Sequence, residues 1–369
     1  MFWREGDEPG RRQFVTLTGD GRGFALERGG HLDSVTVAYE TWGSLNASCS
    51  NAVLVLHALT GDSHVAGPAG PGHLTAGWWE GIIGAGLAID TDANFVVCPN
   101  VLGGCQGTTG PSSPASDGRP FGSRFPVITI RDQVEVEVAL ADHLGIAKWA
   151  GVVGGSMGGM RALEWMVAKP SRLERAVVVA VGAAGTADQI ALCSLQVRAV
   201  RADPLFTGGD YYELASGPRA GLSIARGIGQ FSYRTWTEFE TRFGRDPQDD
   251  SAELEPGYYA IESYLEYQGD KLAARFDPNS YIVLSEAMNH HDVGRHRGGV
   301  VAALKSVRVP VTVAGVTSDR LYPRELQEEL ARLIPTAGRV AMISSPAGHD
   351  GFLIETEQVG NMIANAFAH

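Results

Sequence analysis

The sequence has no uninterrupted apolar run approaching the ~20 residues that a membrane-spanning helix needs. Its opening residues, MFWREGDEPGRRQF, mix both charge signs and lack an apolar centre, so they do not read as a secretory signal. Basic residues are in the minority: 30 Lys and Arg stand against 42 Asp and Glu, a net charge of −12. General nucleic-acid binding, which needs a basic face, is disfavoured, though a few local arginines could still hold a small anion. Cysteine is scarce. Cys49, Cys98, Cys105 and Cys193 form no C-x-x-C pair and read as reduced thiols of a cytoplasmic protein. No phosphate-cradling G-x-x-x-x-G-K occurs. His290, His291 and His296 are close in sequence. Adjacent histidines on a helix point about 100° apart, so a polar helix face is expected there and no metal site.

What is present is a glycine-rich junction. The stretch from Trp149 to Trp165 reads WAGVVGGSMGGMRALEW. A short apolar strand, Ala150 to Val153, runs into Gly154-Gly155-Ser156-Met157-Gly158-Gly159, and an amphipathic helix is expected from about Met160. Gly154-x-Ser156-x-Gly158 between strand and helix is the pattern of a nucleophile elbow. The glycines let strand and helix approach closely, and the helix N-terminus aims its free N–H groups and positive dipole end at the site.

Around this junction the chain has a sheet rhythm. Residues 51–57 (NAVLVLH), 93–99, 173–181, 309–316 and 339–345 are near-continuous apolar runs, as in strands buried on both faces of a parallel sheet. Residues 13–42 suggest an antiparallel opening hairpin. Helices are expected over 131–144, over 323–333 and from about 357 onward. The long Gly-, Ser-, Thr- and Pro-rich loop from Asn100 to Pro126 is of a kind that is usually functional. Residues 183–300 show helical patterns and no comparable strand. The fold expected is α/β: a doubly wound, mostly parallel sheet with its core in 1–182 and 301–369, and a helical lid insertion over 183–300.

A serine nucleophile needs a base, and the base needs an orienting carboxylate. In elbow folds these follow in the order serine, acid, histidine, each just past a strand end. Asp319 follows the strand ending at Val316, and His349 follows the strand ending near Ser345. A helix cap and a loop histidine are the plainer readings of the two. Three elements in the right order favour the triad Ser156, Asp319, His349. The oxyanion donors expected are the N–H groups of Met157 and Leu59, the latter in the HALTG loop after His57.

Beyond these motifs, several longer stretches closely resemble the homoserine O-acetyltransferase family. They are NAVLVLHALTGDSHVAG, VVCPNVLGGCQGTTGPSS, FPVITIRDQV, VVGGSMGGMRALEW, FDPNSYIVLSEAMNHHDVGR, GVTSDRLYP and SPAGHDGFL, and the resemblance spans about residues 13 to 365. It implies an α/β-hydrolase-fold acyltransferase of methionine biosynthesis. The implied substrates are acetyl-CoA and L-homoserine, with a ping-pong path through an acetyl-serine. It also implies a homodimer through the lid and no permanently bound cofactor. The family's lid arginine falls on Arg226 and the acidic residue after the histidine on Asp350. These suit the carboxylate and the ammonium of a zwitterionic acceptor. Tyr233 and Thr60 complete the implied substrate-binding set. The chain departs from the family's usual pattern at Gly227, at Gly229-Gln230 and at Asn289, near where acyl group and acceptor are selected. Alternative readings are homoserine O-succinyltransferase, transfer to L-serine or deacetylcephalosporin C, and a plain serine esterase.

Overall fold

The computed structural model describes residues 3–214, 217–249, 257 and 259–368. Eight strands make the central sheet: β1 Gln13–Leu17, β2 Val35–Trp42, β3 Ala52–Leu56, β4 Phe95–Pro99, β5 Gly151–Gly155, β6 Ala176–Val179, β7 Val311–Val316 and β8 Ala341–Ile343. Their order is β1-β2-β4-β3-β5-β6-β7-β8. From β4 to β8 every neighbour pair is parallel, and β2 runs antiparallel to both β1 and β4.

The apolar runs are explained by two cores. Val53, Val55, Val153, Val177 and Val179 point to one face, with Trp79, Ile82, Phe352, Val359 and Ile363. Leu54, Leu56, Val152 and Val178 point to the other, with Leu140, Leu163 and Trp165. In β3, β5 and β6, buried along their whole length, alternate residues leave water on opposite faces, and no polar position is left along the run.

Helices α1 Ile130–His143 and α2 Met157–Ala168 pack on the second face. Between β6 and β7 come α3 Ala187–Ala202, α4 Arg219–Tyr233, α5 Trp236–Arg242, α6 Ala260–Ala273, α7 Pro278–Asn289 and α8 Val300–Lys305. Among the described residues this segment holds no strand of the sheet. Helix α9 Arg324–Leu333 joins β7 to β8, and α10 Gly351–Ile354 and α11 Thr356–Ala368 follow β8. Local sequence sets several of these starts. Thr186 caps α3 by accepting from Gln189 N at 3.3 Å while Gln189 Oε1 accepts from Thr186 N at 3.0 Å. Asp277 caps α7 by accepting from Ser280 N at 2.8 Å, with Pro278 in the first turn. Among the described residues no helix is long and apolar enough to cross a membrane.

Two local expectations need correction. Helix α2 starts at Met157 rather than near Met160, because Ser156 itself occupies the cap position and the chain enters the helix directly from the turn. The histidines after α7 are not a polar helix face. His290 is the C-cap of α7, and His291 is buried in the turn beyond it, its Nε2 3.1 Å from the Gly182 carbonyl oxygen. Burial pushes the His291 imidazole down to about 4, so it sits neutral against that carbonyl.

Candidate active site

Ser156 has φ +55° and ψ −123°, a backbone conformation that side-chain-bearing residues rarely hold. Its neighbours impose it. Ser156 N donates to Val179 O at 3.0 Å, and Met160 N donates to Ser156 O at 3.0 Å. A Cβ on Gly158 would overlap the Leu56 carbonyl oxygen, and one on Gly154 would overlap the Gly158 carbonyl. Helix α2 thus rests directly on the ends of β3 and β5, which are paired Leu56 to Gly154.

The three triad candidates meet at this point. His349 lies in the single 3₁₀ turn Gly348–Asp350 after β8, and Asp319 lies just past β7. His349 Nδ1 is 2.7 Å from Asp319 Oδ2, and His349 Nε2 is 2.9 Å from Ser156 Oγ. A carboxylate only accepts, so Nδ1 carries the proton and Nε2 is left to accept from the serine hydroxyl. The other carboxylate oxygen, Oδ1, accepts from Leu321 N at 2.8 Å and Tyr322 N at 2.9 Å, which locks its plane. Burial pushes the His349 imidazole down. The charge and hydrogen bond of Asp319 outweigh that, and its pKa lies above the ordinary 6.5. His349 must be neutral to take the serine proton. The acid limb of kcat/KM is therefore expected above pH 6.5, with activity lost as pH falls through it. A limb below pH 6 in a pH–rate profile would contradict the pairing.

Tyr322 stacks on the His349 ring at 5.0 Å between centroids, and its hydroxyl interacts with Ser156. Sequence reasoning missed it, although a tyrosine three residues past the acid is a local signal. Tyr233 tilts against the same imidazole at 5.7 Å.

Leu59 and Ser156 line one small cavity, with about 30 Å³ of free space, room for roughly one water. Its walls include Met160, Cys193, Gln196, Met288 and Asn289, and no charged residue lines it among the described residues. Among the described residues the N–H groups of Leu59 and Met157 have no hydrogen-bond acceptor. Beneath the Leu59 loop lies a pair the sequence did not reveal. Arg161, fully buried, donates to Glu137 at 2.7 Å and to the His57 carbonyl oxygen at 2.5 Å, and Trp165 Nε1 also donates to Glu137 at 2.7 Å. Its trace in the sequence was a charged residue, Arg161, within the mostly apolar α2.

The remaining candidates stand at different distances. Tyr233 lines the cavity. Arg226 lies over the Tyr233 ring, 5.3 Å from its centroid, and among the described residues its guanidinium has no ion-pair partner. Asp350 is not free: Arg234 Nε is 3.0 Å away, an ion pair that sequence reasoning did not anticipate. Thr60 lies in the Leu59 loop and off the cavity wall, its carbonyl oxygen accepting from Arg275 at 2.8 Å.

Elsewhere Glu40, His64 and His73 cluster, all buried. The two imidazoles stack at 3.7 Å and 10°. A ring nitrogen binds metal in its own ring plane, and two parallel planes this far apart cannot share one ion, so the donor set does not fit a cation. His64 Nδ1 instead meets Glu40 at 3.0 Å, and Ser63 Oγ donates to the same carboxylate at 2.7 Å.

The family described as alpha/beta hydrolase fold matches residues 51–356. The chain is 58% identical over 367 residues to the homoserine O-acetyltransferase of Thermobifida fusca, covering 99% of this chain and 96% of that one. It is 55% identical over 368 residues to the homoserine O-acetyltransferase of Clavibacter michiganensis, covering 98% and 94%. The crystal structure of homoserine O-acetyltransferase from Bacillus anthracis superposes with TM-score 0.89 at 26% identity, covering 97% of each chain. Esterase E22 superposes with TM-score 0.87 at 26% identity, covering 96% of this chain and 99% of that one.

Proposed function

Because this chain belongs to the homoserine O-acetyltransferase family of α/β-hydrolase-fold enzymes, we infer that it moves the acetyl group of acetyl-CoA to the hydroxyl of L-homoserine. The reaction we propose has two halves. Ser156 Oγ attacks the thioester carbonyl while His349 Nε2 takes its proton, and the oxyanion is met by the N–H groups of Leu59 and Met157. Collapse expels the CoA thiolate, which takes the proton from His349 and leaves an acetyl-serine. The homoserine hydroxyl then gives its proton to His349 and attacks that ester, and collapse releases O-acetylhomoserine while His349 returns the proton to Ser156 Oγ.

A hydrolase would use the same groups, and the scaffold is shared with an esterase. The observation that carries transfer over hydrolysis is Arg226. It is a partly buried guanidinium beside the nucleophile's cavity, without an ion-pair partner among the described residues, and it suits the acceptor's carboxylate. The helices of 183–300 are the lid in this reading. Ile224 and Phe231, exposed and seven residues apart on one side of α4, are the apolar positions assigned to the homodimer contact.

The cavity wall carries no charge among the described residues and the nearby Arg226 is assigned to the acceptor's carboxylate, so a succinyl tail would bury a carboxylate without a cation of its own, which supports acetyl over succinyl. A steady-state donor panel tests this. Succinyl-CoA is expected to fall below acetyl-CoA by about 100-fold or more in kcat/KM, and equal rates would overturn the donor assignment.

Asp350 is the proposed ammonium site, shared with Arg234 in the free enzyme. Asp350→Asn is expected to leave acetylation of Ser156 largely intact and to raise KM for homoserine by about 10–100-fold. Hydrolysis of p-nitrophenyl acetate, which has no ammonium, should barely change. Equal damage to both reactions would mean that Asp350 serves only to hold Arg234.

A further inference from the structure

We propose that Arg275 is a positioning residue for the oxyanion donor of Leu59, acting from the α6–α7 turn; this rests on the site reading above. The loop that leaves β3 runs from His57 to Asp62, and three of its carbonyl oxygens are held from outside. Arg161 donates to His57 O at 2.5 Å, Arg275 to Thr60 O at 2.8 Å and Trp78 Nε1 to Asp62 O at 2.9 Å. Leu59 lies between the first two. Thr60 O and Gly61 N share one peptide plane, Gly61 N donates to Ala58 O at 2.9 Å, and Ala58 O shares its plane with the Leu59 N–H, so the hold of Arg275 on Thr60 O is passed through that turn to the direction of the Leu59 N–H.

The three holders differ in origin. Arg161 is on α2 and Trp78 precedes β4, so both belong to the segments around the sheet. Arg275 alone reaches in from the helices inserted between β6 and β7. Its own backbone is anchored there: Gln106 Nε2 donates to Arg275 O at 3.0 Å, and Arg275 N donates to Leu272 O at 2.9 Å. Two residues on, Asp277 N donates to Cys105 Sγ at 3.4 Å, and the Asp277 carboxylate accepts from Tyr211 at 2.7 Å and Tyr212 at 3.1 Å. The guanidinium therefore hangs from a rigid post. Among the described residues it forms no ion pair at contact distance, and Asp62 supplies charge compensation from further away. A charged donor committed to one neutral carbonyl, next to a backbone donor that must be aimed, is what positioning requires.

The test uses the full-length protein with Arg275→Ala and Arg275→Lys. The readouts are the acylation burst with acetyl-CoA, the same burst with p-nitrophenyl acetate, KM for homoserine and the thermal midpoint. Arg275→Ala is expected to slow acylation by about 10–100-fold with both donors, the scale of a misplaced catalytic group. KM for homoserine and the midpoint should stay close to wild type, and Arg275→Lys, which keeps a charged donor, should recover part of the rate. An unchanged burst overturns the proposal. So does a rise in homoserine KM alone, which would make Arg275 a ligand of the acceptor. If the alanine variant does not fold, the lysine variant decides: a slower burst at unchanged KM supports the proposal, and a wild-type burst ends it. The p-nitrophenyl acetate arm reads the oxyanion hole whatever the natural acceptor is. Failure of the transferase reading is thus distinguishable from failure here.

Discussion

Ser156→Ala is expected to fold normally and to lose at least about 10⁴-fold in transfer activity. The hydroxyl is the only atom removed from the line Ser156–His349–Asp319, whose links measure 2.9 and 2.7 Å. Alanine has no smaller claim on the strained turn than serine, since the φ of +55° is set by the packing of Gly154 and Gly158 and not by the hydroxyl. Stability should therefore change little while chemistry stops. The adduct gives an independent check: after acetyl-CoA alone, mass spectrometry of the wild-type protein should find an acetyl group on the Ser156 peptide, and the variant should carry none. Activity within tenfold of wild type would remove the nucleophile assignment.

Asp319→Asn should cost a comparable factor for a different reason. In the native site both oxygens accept: Oδ2 from His349, Oδ1 from the N–H groups of Leu321 and Tyr322. Those two backbone donors will keep the amide oxygen of asparagine, so its NH₂ must face His349 Nδ1. The imidazole then has to accept at Nδ1 and carry its proton on Nε2, where it cannot take one from Ser156. About 10⁴-fold in kcat is the expected loss, as for the corresponding change in serine proteases. Binding of homoserine should survive, since Asp319 contacts the imidazole and not the cavity wall. An Asn variant within a hundredfold of wild type would show that the tautomer is held by something other than Asp319.

The sheet, and the three residues that meet as the candidate triad, were legible because their signals are local. Val53 to Leu56 are apolar on both faces, so periodicity announces a doubly covered strand without knowledge of what covers it. Ser156, Asp319 and His349 each sit a few residues past such a strand, so one rule finds all three. What escaped is pairing over distance. Arg161 meets Glu137 24 residues away and Arg275 meets Thr60 215 residues away, and no spacing rule connects either pair. The Arg234–Asp350 contact is of the same kind. It alters the acceptor argument, because the negative charge beside the base already has a cation before any substrate arrives. The start of α2 was misjudged through the glycines themselves: they lower helix propensity, yet here close backbone packing overrides propensity and the helix begins at Met157.

Gly158 resting on the Leu56 carbonyl has a bearing on how such a site can diverge. The two N–H groups that would receive the oxyanion belong to Leu59 and Met157, one on each side of that contact. Their spacing is written in main chain against main chain, with no side chain between. That backbone contact changes only if a glycine is filled, while the aim of the Leu59 N–H stays open to adjustment through the side chains that hold its loop, Arg161 and Arg275. The freedom to change lies in the parts that surround it: the inserted helices, the cavity wall and the few charges that greet the incoming acceptor. The same hole can then serve water in one lineage and an amino acid in another, which fits how closely an esterase and an acetyltransferase both superpose on this chain at about a quarter identity.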